Sequence, residues 1–277
     1  MGIFLALVAA AAYGSADFLG GMAARKAALL AVALGTQAVG LLVIAAALAL
    51  HPETFSFASL AWGALAGLAG ATGIAFLYHA LSIGRMGVVS PVTALLAAAV
   101  PVIFGILTGE RASPLAYAGL ALAAAAIVAI SASFEREGIR EFDTAGLREA
   151  LLSGLAFGAF FTLLGMTRNG APLFALLGSR LASVSLLASI VFATRTPLRM
   201  NGATTFVLLG GALDMVANLL YLLAARIDGL AISAVLTSLY PASTVLLAAV
   251  VLRERLSRVQ WAGVLCALVA VAMIAAR

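Results

Sequence analysis

Apolar runs of about twenty residues recur along this chain from end to end, too long for strands and too uniformly apolar for the surface helices of a soluble domain. A bilayer core of roughly 30 Å is crossed by about 20 residues of α-helix, because in lipid every backbone group must be satisfied inside its own segment. Ten such spans are predicted, at 2–23, 27–50, 58–83, 87–108, 114–133, 148–167, 171–194, 203–226, 230–251 and 257–276. The one long polar interval, FEREGIREFDTAGLRE at 134–149, mixes both signs of charge and reads as a solvated linker. With 64% hydrophobic and 10% charged residues in 277, there is more apolar surface than a soluble domain of this size can bury. The chain reads as an all-α polytopic membrane protein.

The remaining composition excludes other classes. The net charge of +5 comes from basic residues scattered singly or in pairs between apolar runs, so no basic face for nucleic acid is expected. A single cysteine, Cys266, permits no disulfide framework and no four-thiolate metal site. No His/Cys/Asp cluster has metal-ligand spacing, so neither metal nor cofactor is expected. The apolar N-terminus lacks a basic leader and belongs to a repeat, which argues against a removable signal peptide.

That repeat is legible in the motif GERASPLAYAG (109–119), which returns as RERLSRVQWAG (253–263), 144 residues later. The same offset lays ALVAAAAYGSADFLGGM (6–22) over ALLSGLAFGAFFTLLGM (150–166), with Gly14 on Gly158, Gly21 on Gly165 and Met22 on Met166. A constant offset at both ends of each half indicates a tandem duplication: a first five-helix repeat at 1–133, the linker at 134–149 and a second repeat at 150–277. Five spans per half is an odd number, so the halves must cross the membrane in opposite senses.

Charges test that inversion. Loops after the first and third spans carry Arg25, Lys26 and Arg85, against Arg111 alone after the second and fourth. In the second half the bias changes loops: Arg168 and Arg226 follow the sixth and eighth spans, and Arg195, Arg199, Arg253, Arg255 and Arg258 follow the seventh and ninth. Adding Arg136, Arg140 and Arg148 of the linker gives one face eleven basic residues, and the other, with Arg277, has four. Lys and Arg collect on the cytoplasmic side, which predicts a cytoplasmic linker and both termini outside in a multi-pass protein of the inner (plasma) membrane. Inverted repeats recur in secondary transporters, whose substrate site lies near the midplane between them.

Duplicated five-helix halves, the two Glu-Arg motifs and LTSLYPASTVLLAAVVLRERLS at 236–257 together resemble the ten-helix, EamA-type branch of the drug/metabolite transporter superfamily. In that family's pattern a proline stands thirteen residues before the glutamate, as Pro241 does before Glu254. The first half departs from it, because Ala97 holds the matching position and the nearby prolines are Pro91 and Pro101. The resemblance implies export of amino acids, other metabolites or drugs, bacterial aromatic amino-acid exporters being one group. It also implies cytoplasmic termini, against the charge count.

Ionisable groups within a span cost about 2.5–3.5 kcal/mol near its centre, so each needs a reason. Arg180 in the seventh span and Asp214 in the eighth lie at depths roughly 5 Å apart at about 1.5 Å per residue, and could pair. The pair either locks helix register or faces a cavity, with Arg180 meeting a substrate carboxylate and Asp214 orienting it or carrying a proton. Asn218, one turn on, extends the stripe, and the 144-residue shift sets Arg180 over Thr36 beside Gln37. Asp17 is a coupling-proton candidate or an interfacial carboxylate near Arg25. Tyr78 and His79 at the end of the third span are either interfacial or gating and substrate contacts. Pro241 frees the carbonyl of Thr237 beside Ser238 and Tyr240, a hinge or a polar pocket wall, and Pro91 and Pro101 offer the fourth span the same bend. Glycines 63, 67, 70, 73, 210 and 211 read as helix-packing positions. The Glu-Arg motifs read as architectural, with Ser113 and Ser257 as N-caps.

These residues favour a non-enzymatic secondary transporter exporting small metabolites, amino acids foremost and amphipathic drugs besides, by alternating access. The substrate-binding candidates are Arg180, Asp214, Asn218, Gln37, Tyr78, His79, Tyr240 and Ser238; Asp17 and Asp214 are the coupling candidates. Expected partners are a small-molecule substrate and the lipid bilayer, with a monomer as the working unit. One alternative is an intramembrane lipid-modifying enzyme, which needs a nucleophile with its base at one depth. Another is a phosphate-ester or nucleotide-sugar carrier, which needs two or more cavity Lys or Arg where only Arg180 is available.

Overall fold

A computed structural model describes residues 1–83, 86–109, 114–131, 146–167, 169–251 and 258–275, and among these residues every regular element is an α-helix. In chain order they are α1 (Gly2–Ala24), α2 (Leu29–Leu50), α3 (Phe57–Ile83), α4 (Met86–Leu107), α5 (Pro114–Ser131), α6 (Leu147–Gly165), α7 (Pro172–Thr194), α8 (Thr204–Asp228), α9 (Leu230–Thr237), α10 (Tyr240–Val251) and α11 (Arg258–Ala275). Six of them, α1, α2, α3, α6, α7 and α8, are long and apolar enough to cross a bilayer, and shorter apolar stretches run through Val92–Gly105, Tyr117–Ala126 and Leu230–Thr244. The Glu-Arg motifs at Glu110 and Glu254, the caps expected at Ser113 and Ser257, most of the linker, and Arg85, Arg168 and Arg277 lie outside the described residues.

Burial runs opposite to that of a soluble protein. Large apolar side chains face outward, Phe192 at 87% and Leu107 at 80% exposure, while alanine dominates the interior. Lipid tails solvate leucine as well as another helix does, so helices associate where small residues let backbones approach. The seam of α3 with α7 is the clearest case: Gly63 lies against the carbonyl of Ala175, Gly67 against that of Ser179, and Gly178 against that of Leu60. A side chain at any of the three would collide with main chain. Gly70 and Gly73 instead receive the rings of Phe160 and Phe157 from α6.

Most close pairings join an early helix to a late one. α1 packs along α8 and meets α9 and α10; α3 lies between α6 and α7; α4 rests on α6, α2 touches α7 and α8, and α5 pairs with α11. Buried hydroxyls tie these seams to main-chain carbonyls. Ser153 donates to Gly73 (2.8 Å), Tyr221 to Phe161 (2.8 Å), Thr93 to Ala150 (3.2 Å) and Thr244 to Gly14 (3.0 Å).

Helix ends follow local chemistry. α7 opens with Pro172 at its first turn, where the missing N–H is no loss. The α2–α3 loop and the first turn of α3 complete that end: Glu53 Oε2 accepts from the N–H of Leu173 (2.9 Å), and Ser59 Oγ from that of Ala171 (3.0 Å). α8 stops at Gly229, whose φ of 90° disfavours a side chain.

The two halves treat their prolines differently. α4 runs through Pro91 and Pro101 as one helix, whereas the expected ninth span is divided at Ser238 and Leu239 into α9 and α10. Pro241 has no N–H to offer the carbonyl of Thr237, and its ring crowds that carbonyl, so the turn ahead of it opens. Leu239 turns back to Leu236 (3.2 Å) and Ala242 to Leu239 (2.9 Å), tighter turns that bridge the break.

Candidate functional site

Helices from both halves enclose a central cavity of about 590 Å³, counting the space at its mouth. Its walls differ in character. Tyr13 and Asp17 of α1, Gln37 of α2, Arg180 of α7, and Asp214 and Asn218 of α8 form a polar side. Gly70 and Ile74 of α3 with Phe157, Phe160 and Phe161 of α6 form an apolar side, and Tyr240, at the head of α10, completes the lining.

Arg180 organises the polar wall. It is 4% exposed, and its Nη2 donates to Asp214 Oδ2 at 2.5 Å, the pairing that the sequence allowed. Its Nη1 donates to Gln37 Oε1, which also accepts from the Ser183 hydroxyl (2.9 Å), and its Nε donates to Met215 Sδ (3.4 Å). A buried guanidinium is tolerable only with its charge matched and its donors used. Gly40 supplies the space: a Cβ there would stand 2.9 Å from Arg180 Nε and 3.2 Å from Cδ.

Asn218 donates its amide N–H to the carbonyl of Asp214 (2.7 Å), the i−4 bond its spacing allows, which leaves its Oδ1 buried without a partner. The Tyr13 hydroxyl is likewise buried and unpartnered. Asp17, four residues after Tyr13 on the same face of α1, is half-buried at the cavity and forms no hydrogen bond or ion pair among the described residues. Arg25, the partner it had in prospect, is exposed beyond the end of α1. Beside Tyr13 in the lining, Phe161 stacks edge-on to Tyr13 (5.8 Å) and Phe160 (5.3 Å) and tilts against Tyr221 (4.8 Å).

Of the residues singled out in the sequence as substrate contacts, Arg180, Asp214, Asn218, Gln37 and Tyr240 line this cavity, and Tyr78, His79 and Ser238 lie outside its lining. Tyr78 is buried with its ring against Gly20, Ser238 donates to the Ala234 carbonyl (2.7 Å), and His79 is exposed. Asp17 joins the cavity wall with Tyr13, which sequence reasoning passed over. One signal was available, because the 144-residue offset pairs Tyr13 with Phe157 and Asp17 with Phe161, and all four reach the cavity. Gly40 and Phe160 carried no such mark.

Residues 145–276 match the model of the EamA-like transporter family. No curated protein matches the chain. A solved structure titled only "Crystal structure of protein" superposes with a TM-score of 0.78, covering 98% of this chain and 95% of its own at 16% identity, a likeness of fold alone.

Proposed function

We propose, from the premise that residues 145–276 form an EamA-like transporter domain, that the whole chain is a ten-span secondary transporter of two inverted five-helix halves. It moves small amphipathic metabolites, amino acids foremost, outward across the inner membrane by alternating access to the central cavity. The linker is cytoplasmic and both termini are outside, as the charge count requires.

The observation that carries this reading is how the cavity sits on the duplication. Advancing each first-half residue by 144 sends Tyr13 to Phe157, Asp17 to Phe161, Gly70 to Asp214 and Ile74 to Asn218, and every member of the four pairs lines the cavity. Packing obeys the same exchange. Gly14 meets the carbonyl of Tyr240 and the main chain of Thr244, while its counterpart Gly158 meets the carbonyl of Leu96 and the side chain of Val100, their 144-residue mates. Exchanging the halves likewise turns the α1–α8 seam into α6–α3, and α3–α7 into α8–α2. A chamber on the pseudo-two-fold axis is where alternating access places a substrate. The lining has diverged where the scaffold has not: one partner of each pair is polar and the other apolar.

The enzyme alternative gains nothing from this geometry. Among the described residues no serine, threonine or cysteine at the cavity is hydrogen-bonded to a histidine or carboxylate, and Ser183 bonds Gln37 and the carbonyl of Arg180. For a phosphate-ester carrier the cavity offers, among the described residues, Arg180 alone, already paired.

Counterflow of amino acids and organic cations into proteoliposomes tests the proposal, repeated under a pH gradient with Arg180→Ala, Asp214→Asn and His79→Gln. Loss of flux in the first two and retention in the third is expected. Normal transport by both cavity variants removes the site assignment while leaving transport standing, and absence of flux for every solute removes the transport reading.

A further inference from the structure

Three ionisable side chains line the cavity among the described residues: Arg180, Asp214 and Asp17. Arg180 and Asp214 neutralise each other at 2.5 Å, and Asp214, Gln37 and Met215 engage all three guanidinium nitrogens. Asp17 has no such partner among the described residues, so the chamber presents one carboxyl group without a counter-charge. A carboxylate held within a span is costly and kept for a use.

The hydrogen-bond inventory carries the same sign. Asn218 uses its N–H on the Asp214 carbonyl, which fixes its unpartnered Oδ1 as an acceptor, and the Tyr13 hydroxyl oxygen is also without a partner. Both residues line the chamber with Asp17, Tyr13 one turn before it on α1. Around them stand aromatic rings, Phe161 edge-on to Tyr13 at 5.8 Å and Phe160 beside it. An unpaired carboxyl, unused acceptors and ring faces together match an alkylammonium group, which brings positive charge, N–H donors and a weakly hydrated shell.

We propose that this cavity selects a small molecule bearing one positively charged nitrogen on an apolar body. The nitrogen is held at Asp17 with Asn218 Oδ1 and the Tyr13 hydroxyl, and the body lies against Phe157 and Phe160. A carboxylate on the substrate is dispensable. Amino acids qualify through the α-ammonium group, and amines without a carboxylate fit better, because Arg180, the cation of the described lining, is already engaged at all three nitrogens. The inference rests on the transport reading and adds to it the class of substrate and the residue that recognises its charge.

The test titrates the purified full chain calorimetrically with 2-phenylethylammonium and with 3-phenylpropionate, which share ring and chain length and differ in the charge of the end group. The cation is expected to bind and the anion not. Asp17→Asn is expected to weaken the cation by about thirtyfold or more, and Asp17→Glu to retain most of the affinity. Binding of neither ligand, equal or tighter binding of the anion, or undiminished cation binding by Asp17→Asn overturns the proposal. The comparison of ligands uses the unmodified protein and stands even if a variant fails to fold. Flux of permanently charged phenyltrimethylammonium into proteoliposomes separates the two claims: binding without flux sinks transport and leaves the Asp17 assignment, whereas flux indifferent to Asp17→Asn sinks the assignment and leaves transport.

Discussion

Arg180 can serve the protein as a lock between helices, as a cavity charge, or as both, and its variants tell these apart. Arg180→Ala strands Asp214 in a poorly solvated wall and is expected to cost about 3–5 kcal/mol of stability, read by denaturant unfolding in detergent. Replacing both partners by leucine removes the stranded charge and restores most of that stability. Flux that returns with it marks the pair as a lock, and flux that stays lost marks it as part of the site; the second is expected. Gly40→Leu acts on the same guanidinium by occupying its space, and is expected to abolish flux while the helices still insert, measured as transport against detergent-extracted yield. At this scale the sequence was informative where charge was concerned. Arg180 and Asp214 were recognisable because their depths agree, and Gln37 because the repeat sets it beside Arg180's counterpart. Tyr13, Phe160 and Gly40 were hidden because apolar and small residues occur on every face of every helix here. His79 and Tyr78 drew attention as polar residues near a span end, yet rotation about the helix axis decides what such residues face.

Among the helices, the break between α9 and α10 is the feature most open to experiment. Pro241→Ala returns an N–H to the turn and removes a ring worth about 3 kcal/mol of helix propensity, so the two short helices are expected to join. The variant is expected to be more heat-resistant and slower in flux, because Tyr240 would leave the cavity wall as the turn closes. A differential unfolding scan alongside counterflow checks both parts, and unchanged flux would show the break to be incidental. The positions of the long apolar helices were readable to within a few residues, since length and apolarity alone fix them. The break itself was readable from Pro241. The continuity of α4 through Pro91 and Pro101 was not, because neighbouring helices can satisfy the carbonyls a proline leaves bare. Nor was the order of packing, because helices apolar all round show no face that names its partner.

For the molecule as a whole, orientation remains the sharpest test of the duplication. With Cys266 replaced by alanine, single cysteines placed in 25–28 and in 134–149 are expected to react with an impermeant thiol reagent only from the cytoplasmic side. A cysteine in 51–56 is expected to react only from the outside. Opposite sidedness for the first two would dismantle the inverted arrangement. The interleaved seams bear also on how such a protein comes into being. Helices α1 to α5 emerge from the ribosome before the later helices exist, so the α7 backbone that covers Gly63 and Gly67, and the Arg180 that bonds Gln37, are made only afterwards. Those seams close only when the later helices arrive and slot between the earlier ones, so the first half cannot reach its final packing until the second is made.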